Sequence, residues 1–154
     1  MEKTKEELKK KVKFLKVQIA ERIQGFTERR NNNKHKARNF QVSITVLGAI
    51  STIILGLNFD NLVYLTFFKN QTKNIALIIS ALITIISAYN TFFDHKGLWV
   101  NYTTSRNSLY NLDFEIDYYL EGNEDIEKEK IEEFKERYNE ILVEANHKWS
   151  ELRG

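Results

Sequence analysis

Two long stretches of the chain, residues 39–59 and 74–93, contain no charged side chain. An α-helix rises about 1.5 Å per residue, so about 20 residues cross the roughly 30 Å hydrocarbon layer of a bilayer. Buried helices of small soluble domains rarely need an apolar run of that length. The two stretches therefore predict a pair of transmembrane helices joined as a hairpin.

The composition around these stretches favours helices. The 154 residues include no proline, no cysteine and only six glycines, so helix breakers are scarce and neither disulfides nor thiolate metal sites can form. Residues 1–38 are charged throughout, unlike a signal peptide, and we expect both crossings to persist in the mature protein. We predict an all-α membrane protein, a two-transmembrane-helix hairpin whose long cytoplasmic amphipathic helices form a helical bundle.

We expect one domain over residues 1–154, in three segments. A basic cytoplasmic helix (1–39) precedes the hairpin (40–93), and a helical extension with an acidic C-terminal helix (94–154) follows it. Lysine and arginine next to a membrane crossing favour the cytoplasmic side. Five such residues precede the first crossing and two closely follow the second, but only two lie in the loop 60–73. Both termini are therefore predicted to be cytoplasmic, with the aromatic-rich loop forming a cap in the outer interface.

Apolar residues at steps of three and four predict the faces of the cytoplasmic helices. In the N-terminal helix they are Leu8, Val12, Leu15, Ile19, Ile23 and Phe26, and in the C-terminal helix Ile131, Phe134, Tyr138, Ile141, Ala145, Trp149 and Leu152. Asn123 is the predicted N-cap of the C-terminal helix, and residues 75–120 are predicted as one helix. Whether the first helix continues through the asparagines at 31–33 is left open.

The cytoplasmic segments differ in charge. Residues 1–39 hold 13 basic and 5 acidic side chains, a net charge of +8, whereas residues 123–154 hold 6 basic and 10 acidic side chains, a net charge of −4. Either both helices present solvated faces, the basic one also contacting anionic lipid, or the two pair with each other. Exposed ion pairs contribute only about 0 to 1 kcal/mol each, so apolar burial would have to dominate any pairing.

Small and polar residues form a stripe on each crossing. Their spacing of three or four residues keeps each stripe within a narrow sector of its helix. The stripes comprise Gln41, Thr45, Gly48, Thr52 and Gly56 in the first crossing and Ser80, Thr84, Ser87 and Thr91 in the second. Small residues and hydroxyls either let transmembrane helices pack closely or line a wet path for ions.

The second stripe has an apolar continuation beyond the membrane. The same spacing continues through Leu98, Tyr102, Leu109, Leu112, Ile116 and Tyr119. Within the membrane, a helix surface that contacts protein consists of small or polar residues, whereas in the aqueous phase it consists of apolar residues. The whole line is therefore predicted to face protein, which favours packing but leaves a narrow conducting axis open.

Other chemistry finds little support in the sequence. No charged residue lies at membrane depth, unlike in most proton pumps and voltage sensors. His35 and His95 would lie at the cytoplasmic interface, but their charged neighbours indicate a wet setting rather than a metal or haem site. Asp113, Glu115 and Asp117 point in different directions on a helix and are interpreted as surface charge. We expect no enzyme activity, no cofactor, no metal and no nucleic-acid partner.

A set of residues around the crossings carries a family resemblance. They are His35-Lys36-Ala37-Arg38-Asn39, then Trp99, Tyr102, Arg106, Leu109 and Trp149. In these residues and in architecture, over nearly its whole length, the chain resembles the SLATT family, two-transmembrane effector domains associated with bacterial nucleotide signalling. The resemblance implies a bacterial cytoplasmic-membrane protein that forms oligomeric pores in antiphage defence. The chain shows no fused sensor domain, so the resemblance also implies a separate nucleotide-sensing or signalling partner.

Two functional hypotheses follow from the stripes and the resemblance. The first is a homo-oligomeric pore or ion-channel-like effector in the lipid bilayer. The second is a non-conducting membrane-anchored scaffold that recruits or clusters cytoplasmic partners through its terminal helices. Solvent access to Thr84 and Ser87 separates them, because only a pore wets these side chains.

Overall fold

The computed structural model describes residues 2–56, 66–123 and 126–153, with side chains from residue 5 in the first range and from residue 74 in the second. These residues form four α-helices, and no strand occurs among them. The helices are α1 (Glu2–Gly56), α2 (Thr66–Phe93), α3 (His95–Gly122) and α4 (Lys128–Glu151). The chain divides into two compact units. We call residues 1–34 and 96–154 the bundle and residues 35–95 the membrane hairpin.

The bundle forms because α1, α3 and α4 each carry an apolar line at helical spacing. The three lines meet in one core, in which Ile19, Leu109, Leu112 and Ile116 have no exposed surface. Val12, Leu15, Ile23 and Phe26 of α1 and Ile131, Phe134, Tyr138 and Ala145 of α4 join them. The predicted apolar faces are thus confirmed, with one exception. Trp149 is 45% exposed and lies at the edge of the core.

The junction between α3 and α4 differs from the sequence prediction. Asn123 does not cap α4, which begins at Lys128 after Glu127. Instead, the Asn123 side-chain amide donates a 2.8 Å hydrogen bond to the Tyr119 carbonyl at the end of α3. The Glu127 N–H donates to the Tyr119 hydroxyl at 3.0 Å. Asparagine suits either end of a helix, so its position alone did not decide between them. Residues 124 and 125 lie outside the described residues.

The first helix has no break at its asparagines. Helix α1 continues through residues 31–33, where the Asn33 side-chain amide donates a 2.8 Å hydrogen bond to the Arg29 carbonyl. The side chain thereby bonds its own helix instead of competing with it. This answers the question that the sequence left open.

Residues 75–120 are not one helix, and that prediction was wrong. Helix α2 ends at Phe93 and α3 begins at His95, because Asp94 has a φ of 34°. The Asp94 N–H still donates to the Asn90 carbonyl at 3.0 Å. Aspartate is among the few non-glycine residues that tolerate this left-handed conformation. Sequence periodicity cannot detect such a single-residue interruption.

The loop predicted as an interfacial cap is only partly described. Its residues 60–65 lie outside the described residues. Residues 66–73 belong to helix α2, which therefore begins before the charge-free stretch. Their side chains also lie outside the described part of the chain.

Candidate functional site

The apolar segments of α1 and α2 are long enough to cross a membrane. Each contains a window of membrane-spanning length in which only 6% of the residues are buried within the chain. The core helix of a soluble domain would bury most of such a window. The apolar side chains therefore face outward, as lipid-contacting residues do.

A line of buried and half-buried residues joins the two helices of the membrane hairpin. On α1 it includes Phe40, Ile44, Leu47, Ser51 and Ile54, and on α2 Ala76, Ile79, Ile83, Ile86 and Asn90. Phe40, near the start of the α1 crossing, packs against Tyr89, near the end of α2, with 5.4 Å between ring centroids. The helices are therefore antiparallel. Steps of three and four keep this contact line on one side of each helix.

The two predicted stripes lie beside the contact line rather than on it. Gly48 and Ser87 are half-buried at its edge, whereas the other seven members are exposed: Gln41, Thr45, Thr52, Gly56, Ser80, Thr84 and Thr91. At 100° per residue, the α2 stripe is rotated by roughly 90° from its contact line and the α1 stripe by roughly 120°, both in the direction of increasing residue number. Because the helices are antiparallel, this rotation brings both stripes to the same side of the hairpin. We call these nine residues the polar face.

The other side of the hairpin is large and apolar. It exposes Val42, Val46, Ile50 and Ile53 of α1 and Ile78, Leu82, Ile85 and Tyr89 of α2. Branched aliphatic side chains suit contact with lipid tails, whereas small and polar residues at membrane depth face protein or water. The hairpin thus has one side suited to lipid and one side suited to protein or water.

The hydroxyls of the polar face bond to their own helix. Thr45, Thr52, Ser80 and Thr84 each donate a 2.9 Å hydrogen bond to the carbonyl four residues earlier. This bond satisfies the hydroxyl proton within the helix and lowers the cost of placing the group at membrane depth. The free lone pairs of each oxygen remain available to a ligand or a neighbouring helix.

The glycines of the polar face have no role in packing within the chain. Apart from the backbone of its own helical turns and its chain neighbours, a Cβ atom built on Gly48 or Gly56 would meet no atom within 4 Å. Small size at these positions therefore serves no contact inside one hairpin. It suits close approach by the backbone of another subunit, as at small-residue interfaces between transmembrane helices.

The predicted cytoplasmic seam lies in the core of the bundle. Leu98, Tyr102, Leu109, Leu112 and Ile116 are buried there. Tyr119 is half-buried, and its ring meets that of Phe134 edge-on with centroids 5.8 Å apart. The seam therefore packs against α1 and α4 of its own chain, whereas most of the polar face is exposed in the single chain.

Sequence reasoning missed the environment of His95, which is only 5% exposed and not in a wet setting. Its imidazole stacks on Phe40 at 5.7 Å and on Phe93 at 5.9 Å, nearly parallel to both rings. In an antiparallel hairpin, the start of the first crossing lies beside the end of the second. This rule places Phe40 near Phe93 and His95, and it could have indicated the cluster from the sequence. His35 is exposed. Among the described residues, no group of three or more His, Asp or Glu side chains is placed to hold a metal ion.

Three acidic residues of α3 that were interpreted as surface charge, Asp113, Glu115 and Asp117, are partly exposed and form ion pairs with neighbouring helices. Lys16 of α1 bonds Asp117 and lies 3.7 Å from Asp113. Arg137 of α4 holds Glu115 with both terminal nitrogens, one at 2.9 Å. Because successive acids point in different directions, they reach different partners.

These ion pairs shift the pKa values of the groups they join. The hydrogen bond from Arg137 holds the pKa of Glu115 below its usual range despite some desolvation. The hydrogen bond to Asp117, with the charge of Asp113, raises the pKa of Lys16. The basic N-terminal helix and the acidic C-terminal helix are thus both tied to α3.

Nearly the whole chain, including both units, has a counterpart among known families. A model of the SMODS and SLOG-associating 2TM effector domain family 5 matches residues 1–150. No curated protein and no solved structure matches the chain.

Proposed function

Because the chain belongs to the SMODS and SLOG-associating 2TM effector domain family 5, we propose that this membrane effector is a homo-oligomeric pore. Its subunits surround an axis that carries ions across the bilayer. The polar face of each hairpin points toward this axis, and the opposite apolar side contacts lipid.

The observation that carries this proposal is the placement of both stripes on one exposed side of the hairpin. A monomer in lipid would leave that side in contact with acyl chains, which lack partners for the exposed oxygens. In a ring, each subunit contributes its side to a shared axis, and hydroxyl oxygens lining it replace part of an ion's hydration shell. No membrane-embedded charge is needed for conduction of this kind.

The proposal includes a setting and a trigger. The lysines and arginines that flank the crossings favour cytoplasmic termini in a bacterial inner membrane. Opening of the pore would depolarise that membrane as part of an antiphage response. A separate nucleotide-sensing partner acting on the bundle would raise the open fraction of a pore that also opens at a lower level without it, in line with the association in the family's name.

Ion flux through single-cysteine variants tests the pore. The described chain has no cysteine, so Thr84→Cys on the polar face and Ile85→Cys on the apolar side form a matched pair. We expect purified protein in liposomes to dissipate a K⁺ gradient. A charged, water-borne methanethiosulfonate should slow this flux several-fold in Thr84→Cys but not in Ile85→Cys. Liposomes that hold their gradient, or equal effects on both variants, would contradict the proposal.

A second candidate is a non-conducting scaffold that clusters partners. The self-satisfied hydroxyls and the open space at Gly48 and Gly56 favour it, since such a surface also packs dry against another subunit. The scaffold predicts oligomers in which Thr84→Cys is protected from the reagent and no gradient is lost. The same experiment therefore separates the two candidates.

A further inference from the structure

Three aromatic side chains form a line on the outer side of α3. Tyr110, Phe114 and Tyr118 follow one another at steps of four and are 51%, 69% and 76% exposed. The rings of Phe114 and Tyr118 stack with centroids 6.4 Å apart, and the Arg106 guanidinium lies 5.7 Å from the ring of Tyr110. We call the three aromatic residues the aromatic ladder.

The ladder takes no part in the core of its own bundle. At 100° per residue it lies opposite the buried line of Leu109, Leu112 and Ile116. Large exposed rings beside an arginine are the residue types that anchor protein interfaces. Residues 107–122 contain four acidic side chains and no lysine or arginine. Three of the acids pair with Lys16 and Arg137 of the same chain, and the fourth, Glu121, is exposed beside the ladder.

A complementary surface lies between α1 and α4. This groove, of about 590 Å³, is lined by Leu15, Ile131 and Tyr138. Lys10 and Lys11 border it on α1, and the ion pair of Lys135 with Glu132, 3.1 Å apart, borders it on α4. Phe14, 67% exposed, adds an apolar rim. The segment around it is strongly basic, because residues 9–16 include five lysines and no acid.

We propose that the aromatic ladder of one subunit docks into the α1–α4 groove of a second copy of this chain. The ladder is a raised row of aromatic rings beside acidic residues, and the groove is an apolar depression beside lysines. The two surfaces are therefore complementary in both charge and shape. This interface rests on the homo-oligomer of the proposed function and specifies which surfaces build it.

The placement of the two surfaces determines the kind of assembly. In a three-helix bundle, the outer side of α3 and the groove between the other two helices point in opposite directions. Two different surfaces on opposite sides make a head-to-tail contact, and such contacts repeat around a ring when the rotation closes. A ring is the arrangement that a central pore requires.

Mixed disulfide cross-linking of the full chain tests the interface. Phe14→Cys and Phe114→Cys, each with its own affinity tag, are co-expressed and oxidised in membranes. We expect cross-linked dimers that carry both tags, and far fewer when either variant is expressed alone. Val143→Cys, exposed on the outer side of α4, is the matched control and should not cross-link with Phe114→Cys.

Two outcomes overturn the interface. One is cross-linking of Phe114→Cys with itself, which indicates a symmetric contact. The other is the absence of the mixed dimer in protein that is oligomeric and dissipates a K⁺ gradient, which refutes the interface but leaves the pore standing. Mixed dimers in protein without flux would support the interface and count against the pore.

Reversing the charges of two residues across the proposed interface gives a second test that does not depend on disulfide formation. Lys11→Glu in the groove should weaken the oligomer several-fold in detergent, and adding Glu121→Lys beside the ladder should restore it. Weakening without restoration would contradict direct docking. Capture of lipid or of another protein by the ladder, with no effect of these changes on the oligomer, would also contradict it.

Discussion

At the scale of single residues, the surface of the bundle carries ion pairs between helices that the sequence did not reveal. Glu115, with 44% of its side chain exposed, is held by Arg137 across the α3–α4 boundary. Alternating acids on a helix looked like solvent-exposed charge because one sequence does not say which neighbours lie on either side. The burial of Leu109 and Ile116, in contrast, followed directly from their spacing.

The pKa of Glu115 leads to a pH prediction. Because Arg137 lowers this pKa in the folded state, the pair stabilises the protein fully above the unfolded pKa of about 4.3. That contribution is lost as the pH falls through the lower, folded value. In detergent, Glu115→Gln should melt about 1 to 3 °C below the wild type at neutral pH.

The difference in melting temperature should shrink as the pH is lowered toward 3, because the unfolded chain then takes up the proton first. Glu136→Gln, at an exposed position of α4, is the matched control. A difference between wild type and Glu115→Gln that stays constant from pH 7 to pH 3 would show that the ion pair is not its source.

At the scale of helices, periodicity predicted faces better than ends. The apolar lines of α1 and α4 were found because steps of three and four persist over many turns. The start of α4 and the interruption at Asp94 were missed, because both depend on the conformation of one residue. The spacing of apolar residues says little about the backbone dihedral angles of a single residue.

The left-handed conformation of Asp94 predicts a specific sensitivity. Asp94→Val should destabilise the protein by about 1 to 2 kcal/mol, since a β-branched side chain is strained at positive φ. Asp94→Asn, which tolerates this conformation, is the conservative comparison. The measurement is the melting temperature in detergent. Equal melting temperatures for the valine and asparagine variants would indicate that the backbone conformation at residue 94 does not affect stability.

At the scale of the whole molecule, the sequence identified both stripes but not their relation. The spacing of residues reveals each stripe on its own helix. Whether the two stripes lie on the same side of the hairpin can be determined only when the residues that pack between the helices are known. Half of the contact line is isoleucine, and its members Ser51 and Ala76 do not stand out in an apolar segment. The aromatic ladder was also missed, because exposed and buried aromatic residues look alike until the core is known.

The stacking of His95 on both Phe40 and Phe93 provides a spectroscopic reporter. The chain has three histidines, and His35 and His147 are both exposed. The ring currents of two nearly parallel phenyl groups should move the His95 imidazole protons upfield of the other two signals. Separation of α1 from α2 would remove the Phe40 ring and shift this signal back. One proton resonance would therefore report whether a hairpin is closed at this end, with no label added.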